Sequence, residues 1–112
     1  MVISMSETVI RTDDGLATFV NVFDVEPAKQ QALVDVLNEG VEKVISRLPG
    51  FVSVNILASK DGTRVINYAQ WRSEEDIKGV MADPEAQSYA KKAADLATAE
   101  PKVYSVVAIH HA

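Results

Sequence analysis

Residues 51–71, FVSVNILASKDGTRVINYAQW, decide how the rest of the chain is read. Two runs rich in β-branched and aromatic residues, Phe51 to Ala58 and Arg64 to Trp71, flank Lys60-Asp61-Gly62-Thr63. Asp-Gly supplies the positive φ angles that a tight hairpin turn needs. Equal arms about that turn pair Ala58 with Val65, Ile56 with Asn67, Val54 with Ala69 and Val52 with Trp71, and opposed residues share a face. One face then carries Val52, Val54, Ile56, Ala58, Val65, Ala69 and Trp71, with Asn67 its only strongly polar member. The other carries Phe51, Ser53, Asn55, Leu57, Ile66, Tyr68 and Gln70. The purer apolar face is expected against helices, which places the Asn67 amide and the Trp71 indole on the core side.

Upstream, Leu16 to Val25 is a further strand by composition, ended by Pro27, which suits the first turn of a helix. Val34, Leu37, Val41, Val44, Ile45 and Leu48 recur at three- and four-residue steps, predicting an amphipathic helix stopped by Leu48-Pro49-Gly50. Downstream, Ser73-Glu74-Glu75-Asp76 resembles a capping box and Asp83-Pro84 repeats the start signal. A helical region broken in two and ending near Ala97 is therefore expected. Glu100-Pro101 closes it, and Lys102 to Ile109 is predicted as the last strand. The order β-α-β-β-α-β is that of an α+β, ferredoxin-like sandwich with helices on one face of an antiparallel sheet. Residues 1–15 are expected as a flexible leader and 16–112 as a single domain.

Composition narrows the function. With 112 residues and 47% hydrophobic content the chain suffices for one packed core. The absence of cysteine removes disulfides and thiol chemistry, and a net charge of -5 offers no basic patch for nucleic acid. No run approaches the ~20 apolar residues of a membrane span, so a soluble cytoplasmic protein is expected. His110 and His111 are adjacent, would point to opposite faces of a strand and are a poor metal pair, so no metal site is expected.

Both sheet faces are apolar. Phe19 and Phe23 oppose Val20 and Val22 on the first strand, and Val103 and Val107 oppose Tyr104 and Val106 on the last. One layer of helices covers only one face. The economical cover for the second is another copy of the chain, giving a homodimer through the face bearing Tyr68 and Gln70. On the core side, a side-chain amide among apolar groups costs a few kcal/mol unless matched. Asn67 and Trp71 therefore suggest a small pocket between sheet and helices with two donors aimed into it.

The runs P-G-F-V-S-V (Pro49 to Val54), A-S-K-D-G-T (Ala58 to Thr63) and above all V-I-N-Y-A-Q-W-R-S-E-E (Val65 to Glu75) resemble the antibiotic biosynthesis monooxygenase family. Within it they are most similar to the small anthrone-type oxygenases of aromatic polyketide pathways. The resemblance implies a dimeric α+β barrel that oxygenates a phenolic, anthrone- or quinol-type substrate with O2 and no cofactor. It assigns Asn67 and Trp71 as catalytic residues, with Phe19, Asn21, Phe23, Tyr89 and Lys91 as substrate-binding candidates. The polyketide oxygenases carry a tyrosine on the helix after the tryptophan, where this chain has Ile77. Tyr89 is the substitute the sequence offers, and Lys91 or Lys92 stands for the family's basic residue. A sister branch degrades haem with an asparagine, a tryptophan and a histidine. Asn21 and Trp71 resemble the first two, but Tyr89 to Asp95 holds no histidine, so haem binding ranks lower. A non-catalytic binder of small aromatics, or a structural dimer, fits the departure at Ile77.

Overall fold

The computed structural model describes residues 6–112. Residues 1–5, the start of the expected leader, lie outside them. Strand β1 (Ala17–Val25) leads through a short turn at Pro27 into helix α1 (Gln30–Lys43). The hairpin β2 (Phe51–Ala58) and β3 (Arg64–Trp71) follows, then α2 (Glu74–Ala82), α3 (Pro84–Ala94) and β4 (Ala97–Tyr104). The sheet is antiparallel in the order β2-β3-β1-β4, the expected ferredoxin-like arrangement.

The turn forms at Asp61-Gly62, with Gly62 alone and not Asp61 supplying a positive φ. Gly62 sits at φ 80°, and one carboxylate oxygen of Asp61 accepts from the Thr63 hydroxyl (2.7 Å), the Ser59 hydroxyl (2.8 Å) and the Thr63 N–H (3.0 Å). Gln30 at the start of α1 donates to the carbonyls of Ser59 and Arg64 at 2.9 and 3.0 Å, tying helix to hairpin. The caps also form as read: Ser73 accepts from the Asp76 N–H and Asp83 from the Ala86 N–H, so α2 and α3 are separate helices meeting at Asp83-Pro84.

Two expectations are corrected. The arms of the hairpin are not equal, because a bulge at Val52 puts Phe51, not Val52, opposite Trp71. Phe51 thereby turns to the helix side and meets the Trp71 ring edge-on, centroids 5.7 Å apart. The last strand starts at Ala97 and stops at Tyr104 instead of running to Ile109, leaving Val106 and Val107 beyond it. Pro101, read as a break, is instead paired with Asn21 inside the strand. β4 is an edge strand, where a residue with no N–H to donate is tolerated.

The helix-facing core is divided. Phe23, Val25, Leu33, Val65 and Ala93 form one buried cluster, and Ala17, Ala69, Trp71 and Ile77 a second. Leu33, fully buried, was absent from the predicted helical stripe. On the outer face, Gln70 is only 4% exposed. Its amide donates to the Val9 carbonyl and accepts from the Ser53 hydroxyl, both at 2.8 Å, and Thr8 donates to Asn55. The chain's own residues ahead of β1 thus occupy the Gln70 position expected against a partner.

Hydrogen bonds from the Thr63 hydroxyl and N–H and from the Ser59 hydroxyl hold the Asp61 carboxyl at about 2, down from 3.8. A depressed folded-state value stabilises above the unfolded pKa and is lost as pH falls through the folded one. Urea melts of Asp61→Asn should show a deficit against the parent at neutral pH that closes as pH falls from 3.8 toward 2. A deficit constant with pH would contradict this.

Candidate active site

Between the two core clusters lies a cavity of about 340 Å³, within the range of small-molecule sites. Its position follows from strand register. β1 and β3 pair so that Phe19 opposes Ala69, Asn21 opposes Asn67 and Phe23 opposes Val65, and these residues share the helix-facing side. Each cluster claims one end of this ladder, and the two asparagines occupy the middle. Both line the cavity. The side-chain oxygens Asn21 Oδ1 and Asn67 Oδ1 are buried without a hydrogen-bond partner, a state that costs roughly 1–3 kcal/mol per group.

The walls explain why space remains. Ala86, Ala90 and Ala93 recur on one face of α3 and all line the cavity, so that helix presents methyl groups where larger side chains would fill the gap. Val36, Leu37, Gly40 and Val41 of α1, with Val80 and Met81 of α2, form the remaining helical wall. Gln87 lines it too, but its side chain is committed: Nε2 donates to the Met81 carbonyl at 2.9 Å and joins α3 to the end of α2. Ala99 and Pro101 of β4 form the fourth side. The lining contains no histidine, cysteine or carboxylate.

Of the residues expected at a site, Phe19, Asn21, Phe23, Asn67 and Tyr89 converge on this cavity. Trp71 does not line it. At 3% exposure it lies in the second cluster beside Ile77, enclosed by Phe51 and its neighbours. Trp71 is four residues along β3 from Asn67, and that offset carries the indole past the gap into packed core. Lys91 is exposed and lies outside the lining, because it follows Ala90 onto the solvent side of α3. Lys92 instead reaches over the Tyr89 ring, its ammonium 4.7 Å from the centroid. Partial burial and then the Glu39 carboxylate hold the Tyr89 hydroxyl above its ordinary pKa of 10.0. Sequence reading missed Gly40, Met81 and the alanine face. The three alanines at helical spacing were a signal in plain view, but alanine alone does not say whether a helix face packs tightly or leaves room.

The elements so arranged define an α+β domain with a cavity between sheet and helices suited to one small molecule. The sequence profile of the antibiotic biosynthesis monooxygenase family matches residues 17–92; the chain belongs to that family and is a monooxygenase. It is 48% identical over 80 residues to the tetracenomycin-F1 monooxygenase of Streptomyces glaucescens, covering 71% of each chain. Among solved structures it is similar to the ActVA-Orf6 monooxygenase of Streptomyces coelicolor in complex with nanaomycin D, at 32% identity. That match has a TM-score of 0.75 and spans 88% of this chain and 92% of that one. SnoaB, a cofactor-independent oxygenase from Streptomyces nogalater, shares the fold at 24% identity, TM-score 0.70, over 85% of this chain and 96% of its own.

If the two amide oxygens are unmatched in the free protein, an apolar replacement should relieve their cost. Asn21→Leu and Asn67→Leu are each expected to raise the unfolding free energy by about 1 kcal/mol, measured by urea denaturation. A loss of stability in both would show that the amides are satisfied after all.

Proposed function

We propose that the chain is a cofactor-independent monooxygenase that oxidises a phenolic, anthrone- or quinol-type aromatic substrate with O2. The observation that carries this is the pair of asparagines on opposed rungs of β1 and β3, their amide oxygens buried without a partner, both residues lining an otherwise apolar cavity. Such oxygens call for hydroxyl donors, and a polyphenol supplies hydroxyls on a flat apolar body that suits the Phe19 and Phe23 walls. The similarity to a tetracenomycin-F1 monooxygenase supports the monooxygenase reading.

The chemistry asks little of the protein. An anthrone or hydroquinone that loses a proton becomes an electron-rich enolate or phenolate able to pass one electron to O2. For an anthrone, coupling of the resulting radicals forms a carbon–oxygen bond, and loss of water turns the methylene into a carbonyl: CH2 and O2 become C=O and H2O. The Asn21 and Asn67 oxygens accept from the substrate's hydroxyls, while their amide N–H groups offer donors to the developing oxyanion. The apolar walls exclude bulk water around the anion. Asn67 is the catalytic residue in this scheme. Trp71, packed in the neighbouring cluster, acts as a positioning residue for β3.

We further infer that a second copy covers the outer sheet face. Val20, Val22, Ile66 and Tyr68 are only half-buried there, and Leu57 and Tyr104 are exposed. Light scattering should give twice the chain mass of 12.2 kDa; a monomer mass at all concentrations would remove this inference.

Purified, metal-free protein should consume O2 with anthrone above the uncatalysed rate, and Asn67→Ala should lower kcat/KM by about 10- to 100-fold. Saturable binding of anthrones and hydroquinones without O2 uptake would instead identify a non-catalytic binder.

A further inference from the structure

Gly40 is buried in the interior of α1, where glycine weakens a helix relative to alanine. Its surroundings explain its presence. A Cβ at this position would lie 3.1 Å from Cγ of Tyr89 and 3.3 Å from both Cβ and Cδ1, closer than ordinary van der Waals contact. The ring therefore rests against bare helix backbone. Lys92, three residues on from Tyr89, places its ammonium 4.7 Å from the same ring, a cation–π separation. Beside Gly40 on α1, Glu39 is held by Lys43 at 2.7 Å, and after burial its carboxylate contributes to raising the Tyr89 hydroxyl above its ordinary pKa.

We propose that Tyr89 is a fixed specificity wall of the cavity, set by Gly40 on α1 and Lys92 on α3. Its ring limits how large an aromatic body enters, and its hydroxyl takes no part in proton transfer. Tyr89 is carried by α3, whereas the amides that would meet the reacting oxygen lie on β1 and β3. Gly40 is then a positioning residue. Any side chain there drives the ring toward the cavity and narrows it. This deepens the proposal that the cavity binds aromatic substrate and rests on it.

The test uses the full chain with anthrone as the three-ring probe and naphthohydroquinone as the two-ring probe, following O2 uptake. Gly40→Ala should raise KM for anthrone roughly 10-fold with little change for naphthohydroquinone, and kcat should stay close to the parent. In a Tyr89→Ala background the same Gly40→Ala change should have no effect on KM, because the wall through which it acts is gone. Tyr89→Phe keeps the ring and should preserve the KM preference between the two probes, whereas Tyr89→Ala should lower the KM for anthrone relative to naphthohydroquinone. A drop of more than about 10-fold in kcat for Tyr89→Phe, or a KM effect of Gly40→Ala that persists without Tyr89, would overturn the assignment. Asn67→Ala separates the two levels. If it abolishes turnover while Gly40→Ala and Tyr89→Ala leave both KM values unchanged, the wall fails and the cavity stands. If none of the three alters KM or kcat, the substrate is elsewhere and both proposals fall.

Discussion

The pairing of β1 with β3 is the constraint on which the rest of the molecule depends. These are the two central strands of the sheet, and their register brings Asn21 and Asn67 to the same rung on the helix-facing side. Amides do not pack with the aliphatic and aromatic side chains on either hand, and burying them unmatched is costly. The hydrophobic core accordingly condenses as two clusters, one toward Phe23 and Val65 and one toward Ala69 and Trp71. The gap between them is the cavity.

The helices around that gap keep it open. The chain break at Asp83-Pro84 lets α2 and α3 take separate courses over the sheet, and the bond from Gln87 to the end of α2 fixes their junction. Alanines on α3 and Gly40 on α1 keep the opposing helix surfaces low. Tyr89 fills part of the space those small residues leave, so the cavity boundary is made by an aromatic ring lying on helix backbone. A protein built only for stability would have larger residues at these positions and apolar ones at Asn21 and Asn67. The opposite choice at each is a local loss accepted for an open space between sheet and helices with polar residues at its base.

Much of the fold is legible from residues alone. The Asp61-Gly62 turn, the Ser73 and Asp83 caps and the β-branched runs of the first three strands are local signals whose energetics are settled within a few residues, and each appears where it was read. The misreadings came from interactions that local sequence does not encode. The bulge at Val52 is decided by Phe51 gaining the edge of the Trp71 ring. The true start of β4 depends on β1 offering an edge to a strand that contains Pro101. Gln70 looked like a partner-facing residue until the segment ahead of β1 was seen to use both ends of its amide.

The candidate site divides along the same line. Periodicity and turn chemistry by themselves determined that Asn67 faces the helices, and the N-Y-A-Q-W segment pointed to the family, because side-chain alternation in a strand needs only a fixed turn to be counted from. That Asn21 stands opposite it, that Trp71 lies in packed core and not at the cavity, that Lys91 faces solvent, and that Gly40 exists to seat Tyr89 were decided by tertiary structure. Each is a distance between residues far apart in the chain, set by how strands align and helices approach.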